Sequence, residues 1–148
     1  MANLLKISEA ASLALHSLVL MGSDPLEPLT TNRIASLLGV SEAHLSKVLQ
    51  RLAREGFVKS MRGPKGGFVL AKPGTSITLL EVYESIEGPV SWNDCLLDAP
   101  ICGGKCIFGG LLAEVNRRVK TYLAETTLDQ LSDVKGCLYA GATKDSQD

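Results

Sequence analysis

Apolar positions in the first third of the chain recur at the spacing of helix faces. Leu4, Ile7, Ala11, Leu15, Leu18 and Met21 stand three or four apart until Gly22 stops the run, which predicts a first helix. Ser23 to Leu29, with Pro25 and Pro28, reads as a loop. Thr31 can cap a short helix through Ile34, Leu37 and Leu38, and Gly39 then permits a sharp turn. Ser41 caps the next helix at once. Leu45, Val48, Leu49 and Leu52 form its apolar side, and Ala43, Ser46, Lys47, Gln50 and Arg54 its opposite side. Two short helices joined by a tight turn make a helix-turn-helix.

After Gly56 the period shortens to two. The run Phe57 to Ser60, the segment MRGPKGG and the run Phe68 to Leu70 predict a β-hairpin with a basic loop, so a winged helix. Thr78 and Glu81 form a capping box for a helix that buries Leu79, Val82, Tyr83 and Ile86 and ends at Gly88 and Pro89. Val90 to Cys106 has no period. A long helix follows, with Phe108, Leu111, Leu112, Val115, Val119, Tyr122 and Leu123 on one face. That stripe is wider than a compact winged unit can cover, and it predicts a partner subunit. Thr127 and Gln130 open a last short helix with Leu128, Leu131 and Val134 as its apolar side; the polar tail from Gly141 to Asp148 is expected to be disordered. The fold class is therefore mainly α with a small β-hairpin wing: a winged helix-turn-helix plus a long C-terminal dimerisation helix.

Composition narrows the class without naming a function. At 148 residues, 45% hydrophobic and 21% charged, the chain is long and apolar enough for one globular domain with an appendage. No apolar run reaches membrane-spanning length, and Glu9 and His16 interrupt what would otherwise be a signal-like N-terminus, so a cytoplasmic location with no membrane partner is expected. The net charge of −1 conceals an asymmetry: residues 41–72 carry seven Lys/Arg against Glu42 and Glu55 alone, whereas residues 75–148 carry six against eleven acids. One stretch is suited to phosphate.

In a DNA-binding helix-turn-helix the second helix enters the major groove, N-terminal residues first. Here those are Ser41, Glu42, His44, Ser46 and Lys47, with Gln50 and Arg51 one turn on and Thr31 at the start of the preceding helix. Arg62 and Lys65 sit on a turn that Gly63 and Gly66 make slim enough to approach a sugar-phosphate backbone. Lys47, Gln50 and Arg54 alone would equally suit a solvated face or a protein-binding module. Helix, basic wing and local charge together favour DNA. His16, on a leucine-dominated face, reads as structural.

Cys95, Cys102 and Cys106 stand as CxxxxxxCxxxC in a Gly/Pro loop. Thiolates bind soft or borderline metals, and such a loop can turn several sulfurs to one centre, leaving a position for water, a carboxylate or a partner side chain. A Cys102–Cys106 disulfide and three unrelated thiols are the alternatives, and the spacing does not name the metal. Cys137 reads as a small, half-buried residue. With only two histidines and no nucleophile motif or phosphate loop, the chain does not read as an enzyme.

The segments SEAHLSKVLQRLAREGFVKS (41–60), RGPKGGFVLAKP (62–73) and ITLLEVYESIEGP (77–89), followed by the three cysteines, resemble the Rrf-type winged helix-turn-helix transcriptional regulators, the family of the IscR-, NsrR- and CymR-like proteins. The resemblance spans residues 1–135. It implies a homodimer with crossed long helices, each subunit offering one winged helix to half of a palindromic operator in double-stranded DNA. It also implies an iron-sulfur cluster, 2Fe-2S or 4Fe-4S, held by Cys95, Cys102 and Cys106, sensing redox state, nitric oxide or iron-sulfur status. Glu9 stands where some members place an acidic ligand, in certain cases supplied by the partner. The cysteine spacing and Gly109 depart from the pattern of the IscR-like members, so fourth ligand and cluster type stay open. The implied organisation is a DNA-binding domain over 1–88, a cluster-binding loop over 89–106, a dimerisation and C-terminal helical region over 107–140, and a tail over 141–148. A metal-free or zinc-binding winged-helix protein-interaction regulator is the alternative.

Overall fold

The first four helices begin where a hydroxyl can accept from an otherwise unpaired amide. Ser8, Thr30, Ser41 and Thr78 each cap a helix in this way, receiving the amides of Ala11, Arg33, His44 and Glu81. The structure, a computed structural model, describes residues 7–22, 26–97, 101–131, 133–134 and 136–137. Their order is α1 (Glu9–Met21), α2 (Thr31–Leu38), α3 (Glu42–Arg54), β1 (Val58–Met61), β2 (Gly67–Leu70), a 3-10 turn at Gly74–Ser76, α4 (Leu79–Glu87), α5 (Leu111–Glu125) and a 3-10 turn at Leu128–Leu131.

The α1 helix is the centre of the molecule. Ala11, Leu13, Ala14, Ser17, Leu18, Val19, Leu20 and Met21 are all buried, so apolar residues surround it on nearly every side rather than along one stripe. It packs on α2, α3, α4 and β2. Its first residue is Glu9, so Ile7 precedes the helix, and Leu4 lies outside the described residues. His16 is tied locally, its Nδ1 donating to the Ser12 carbonyl at 2.7 Å.

The cap of α2 is Thr30, one residue before the expected Thr31, for a reason outside the helix. Leu29 exchanges backbone hydrogen bonds with Phe68 of the hairpin (3.0 and 2.8 Å), which holds the chain extended through Thr30. Gly39, at φ 65°, then makes the left-handed turn into α3. The hairpin is antiparallel, with Val58 opposite Leu70 and Met61 opposite Gly67.

Thr78 and Glu81 form the expected capping box. The Thr78 amide donating to Glu81 holds that carboxyl below its ordinary range, helped by the Thr78 hydroxyl and Lys72 against the opposing effect of burial. The last expected helix appears as the 3-10 turn: Leu128 is buried, Gln130 Oε1 receives the Thr127 amide, and Val134 is exposed. Cys137, beyond that turn, is exposed rather than half-buried. The segment 141–148, expected to be disordered, lies outside the described residues. Among the described residues no helix is long and apolar enough to cross a membrane.

Candidate nucleic-acid interface and cysteine hollow

Burial of Leu45, Val48, Leu49 and Leu52 orients α3, because an amphipathic helix with one side in the core must show its other side to solvent. That other side carries Glu42, Lys47, Gln50 and Arg51 exposed, with His44 and Ser46 half-buried. Ser41 is exposed and Thr31 half-buried. Glu42 is steadied by α2, since Asn32 Nδ2 donates to its Oε2 at 3.2 Å. Gln50 Nε2 donates to Ser46 Oγ at 3.4 Å.

Beyond α3 the hairpin presents Arg62, Gly63 and Lys65 exposed at its tip. Gly63 has φ 117°, a conformation that disfavours a side chain, and space around it is open. Gly66 is required for an internal reason: a Cβ there would meet the Met61 carbonyl oxygen at 2.5 Å. Lys72 Nζ, at the far end of the hairpin, lies 4.7 Å from the Phe57 ring centroid.

Glu9 and His44 meet each other. The Glu9 carboxylate lies 3.6 Å from His44 Nδ1, an ion pair when the imidazole is protonated, and it joins the first turn of α1 to the first turn of α3. Next to it, the Ser8 hydroxyl donates to Glu87 at the end of α4. Glu9 therefore lies against the first turn of α3.

The three cysteines share one hollow. Cys95, Cys102 and Cys106, with Trp92, Asn93, Asp94 and Leu97, line an open cavity of about 410 Å³. Two of the sulfurs already accept amide donors: Leu97 N–H to Cys95 Sγ at 3.5 Å and Phe108 N–H to Cys106 Sγ at 3.4 Å. Hydrogen bonds of this kind tune cluster sulfurs. Among the described residues no three His, Cys, Asp or Glu side chains converge as they would round a single ion. Three thiols lining one hollow are the donor type that iron-sulfur clusters take. All four cysteines are free thiols, and the Cys102–Cys106 disulfide is absent.

Leu29, which anchors the hairpin to α2, and Asn116, which holds the cysteine segment to α5, were not visible in the sequence pattern. Asn116 Nδ2 donates to the Asn93 carbonyl at 2.8 Å and approaches Asp94 Oδ1 at 3.4 Å. Prolines around Leu29 mask its strand character, and one asparagine on a helix carries no signal.

A helix-turn-helix packed on a basic-tipped hairpin defines a winged-helix DNA-binding protein. The chain belongs to the Rrf2 family, described as iron-dependent transcriptional regulators, whose model matches residues 7–134. Members of this family are DNA-binding regulators of transcription and not enzymes. The chain is 32% identical over 139 residues to the putative HTH-type transcriptional regulator YwgB of Bacillus subtilis, covering 91% of this chain and 89% of that one. It is 31% identical to the HTH-type transcriptional regulator IscR of Klebsiella pneumoniae over 105 residues, covering 70% of this chain and 64% of that longer one. Among solved structures, CymR (YrzC), the global cysteine regulator of B. subtilis, superposes with a TM-score of 0.74 at 30% identity, covering 88% of this chain and 98% of that one.

Proposed function

We propose that the chain is a homodimeric, sequence-specific cytoplasmic regulator that binds a palindromic operator and holds an iron-sulfur cluster through Cys95, Cys102 and Cys106. The observation that carries this reading is the shared hollow of the three thiols, in the segment that connects α4 with α5. The family's description as iron-dependent supports it.

In DNA binding, Ser41, Glu42, His44, Ser46, Lys47, Gln50 and Arg51 offer groups to base edges and phosphates of a major groove. Arg62 and Lys65 reach the neighbouring backbone or minor groove from the slim turn of Gly63 and Gly66, while Thr31 faces a phosphate. The exposed apolar face of α5 supplies the contact between subunits, which spaces two reading helices for successive half-sites. Within a protomer Glu9 lies beside His44, and the fourth position at the cysteines is open to water, a carboxylate or a side chain of the second copy. A bound cluster would supply reactivity toward oxidants and nitric oxide. The protein's part is to hold three thiolates beside amide donors, and to join that loop directly to the helix carrying the subunit contact.

The test is protein purified without oxygen. The native chain should contain iron and acid-labile sulfide and absorb visible light, and Cys102→Ala should lose all three while keeping its helix content. Unchanged iron, sulfide and DNA binding in Cys102→Ala would overturn the sensor. Zinc without iron would put the protein-interaction reading in its place.

A further inference from the structure

Between α4 and α5 the described residues of the connecting segment are mostly exposed. Leu96, Leu97, Ile101 and Ile107 are among them, so apolar burial does little to hold the segment in place. Beyond the Val90 amide donated to Glu84 at its start, two features engage it near Cys95. Asn116, in the second turn of α5, donates from Nδ2 to the Asn93 carbonyl and to Asp94 Oδ1, the two residues immediately before Cys95. Trp92, the only tryptophan of the chain, forms a wall common to the cysteine hollow and to the apolar groove of about 460 Å³ that Leu15, Tyr83, Val115 and Val119 line between α1, α4 and α5.

We infer that Asn116 is a positioning residue for Cys95. It registers the cysteine segment against α5, and Trp92 carries that register to the groove beside the helix. The chemistry is specific to an amide. Its N–H group can donate to a carbonyl and a carboxylate together, which a carboxylate or an apolar side chain at the same place cannot. Fixing the backbone at residues 93 and 94 restricts where the Cys95 sulfur can go, because only one residue separates Asn93 from it. The same bond ties the thiol side of the loop to the α5 helix, so a rearrangement at Cys95 and a shift of that helix are not independent. This inference builds on the cysteine hollow of the proposed function, but the positioning itself exists without any metal.

The experiment uses the full chain, reduced and metal-free, and follows alkylation of each cysteine by peptide mass spectrometry. Exposed Cys137 serves as the internal reference. Asn116→Asp keeps shape and removes the donor. It should speed alkylation of Cys95 about fivefold, the equilibrium equivalent of one net hydrogen bond, and shift Trp92 fluorescence, with Cys137 unchanged. Asn116→Asp combined with Asp94→Asn, which restores a donor across the same gap, should recover part of the protection. An unchanged Cys95 rate in Asn116→Asp, or a uniform acceleration at all four cysteines with loss of helix, would overturn the assignment. Iron uptake by the native chain is measured separately, and its absence would end the cluster reading while leaving the positioning result standing.

Discussion

The helices α1 and α5 have similar length, yet they end in opposite circumstances. Eight of the thirteen residues of α1 are buried, whereas none of the fifteen in α5 is. Sequence accounts for part of the difference, since α1 carries one charged residue and α5 carries five; the rest lies in what surrounds each helix. α1 is enclosed by three helices and a strand, while α5 touches chiefly α4 and leaves Leu111 51% and Tyr122 59% exposed on its stripe. Leu123 of α5 packs against the core, but the rest of its apolar stripe is only partly covered, and on the reading proposed above that face meets a second copy. The molecule thus divides into a part with a buried core, which carries the reading helix and wing, and a helix with no buried residue.

Four substitutions would break or sharpen that division. Leu49→Ala removes a fully buried side chain of α3; it should cost roughly 2–5 kcal/mol, visible as a large fall in melting temperature. A small effect there would mean the N-terminal part is not the self-sufficient one. Tyr122→Asp places a charge on the α5 face and should weaken self-association about thirtyfold, the level of an interface hot spot, measured by sedimentation equilibrium. The helix content of the winged part should survive, and unchanged association would move the subunit contact elsewhere. Arg62→Ala should weaken duplex binding about tenfold and lower the slope of log affinity against log salt by about 1. Identical curves across a salt series would remove the wing from the interface.

The smallest effect is expected at α4. Glu81→Gln should cost only about 0.5 kcal/mol at neutral pH, from the weakened capping box. Because the folded carboxyl titrates below its ordinary value of 4.5, its stabilisation is complete above 4.5 and disappears as pH falls through the lower folded value. Thermal melts of the two proteins should therefore differ at pH 7 and converge in acid.

Legibility in the sequence follows the same division. The caps at Ser41 and Thr78, the apolar side of α3 and the hairpin rest on residues within one or two turns of each other, so spacing reveals them. The position of the α2 cap was misread by one residue because it depends on Leu29 pairing with Phe68, thirty-nine positions away. Glu9 was assigned to the cysteines by resemblance, and its contact with His44 is set by how α1 crosses α3. The Gly/Pro composition of the cysteine loop pointed to sulfurs gathered at one place, and Gly103 and Gly104, both at positive φ, turn the chain there.

On the proposed reading the cysteine loop and the reading helix are energetically linked. The direct test of this link compares iron-loaded and iron-free protein on one duplex, selected by the protein from a random pool, at a single fixed salt concentration. The account predicts affinities that differ by about 5- to 150-fold, the usual range of coupling between two sites. Superimposable binding curves would contradict it.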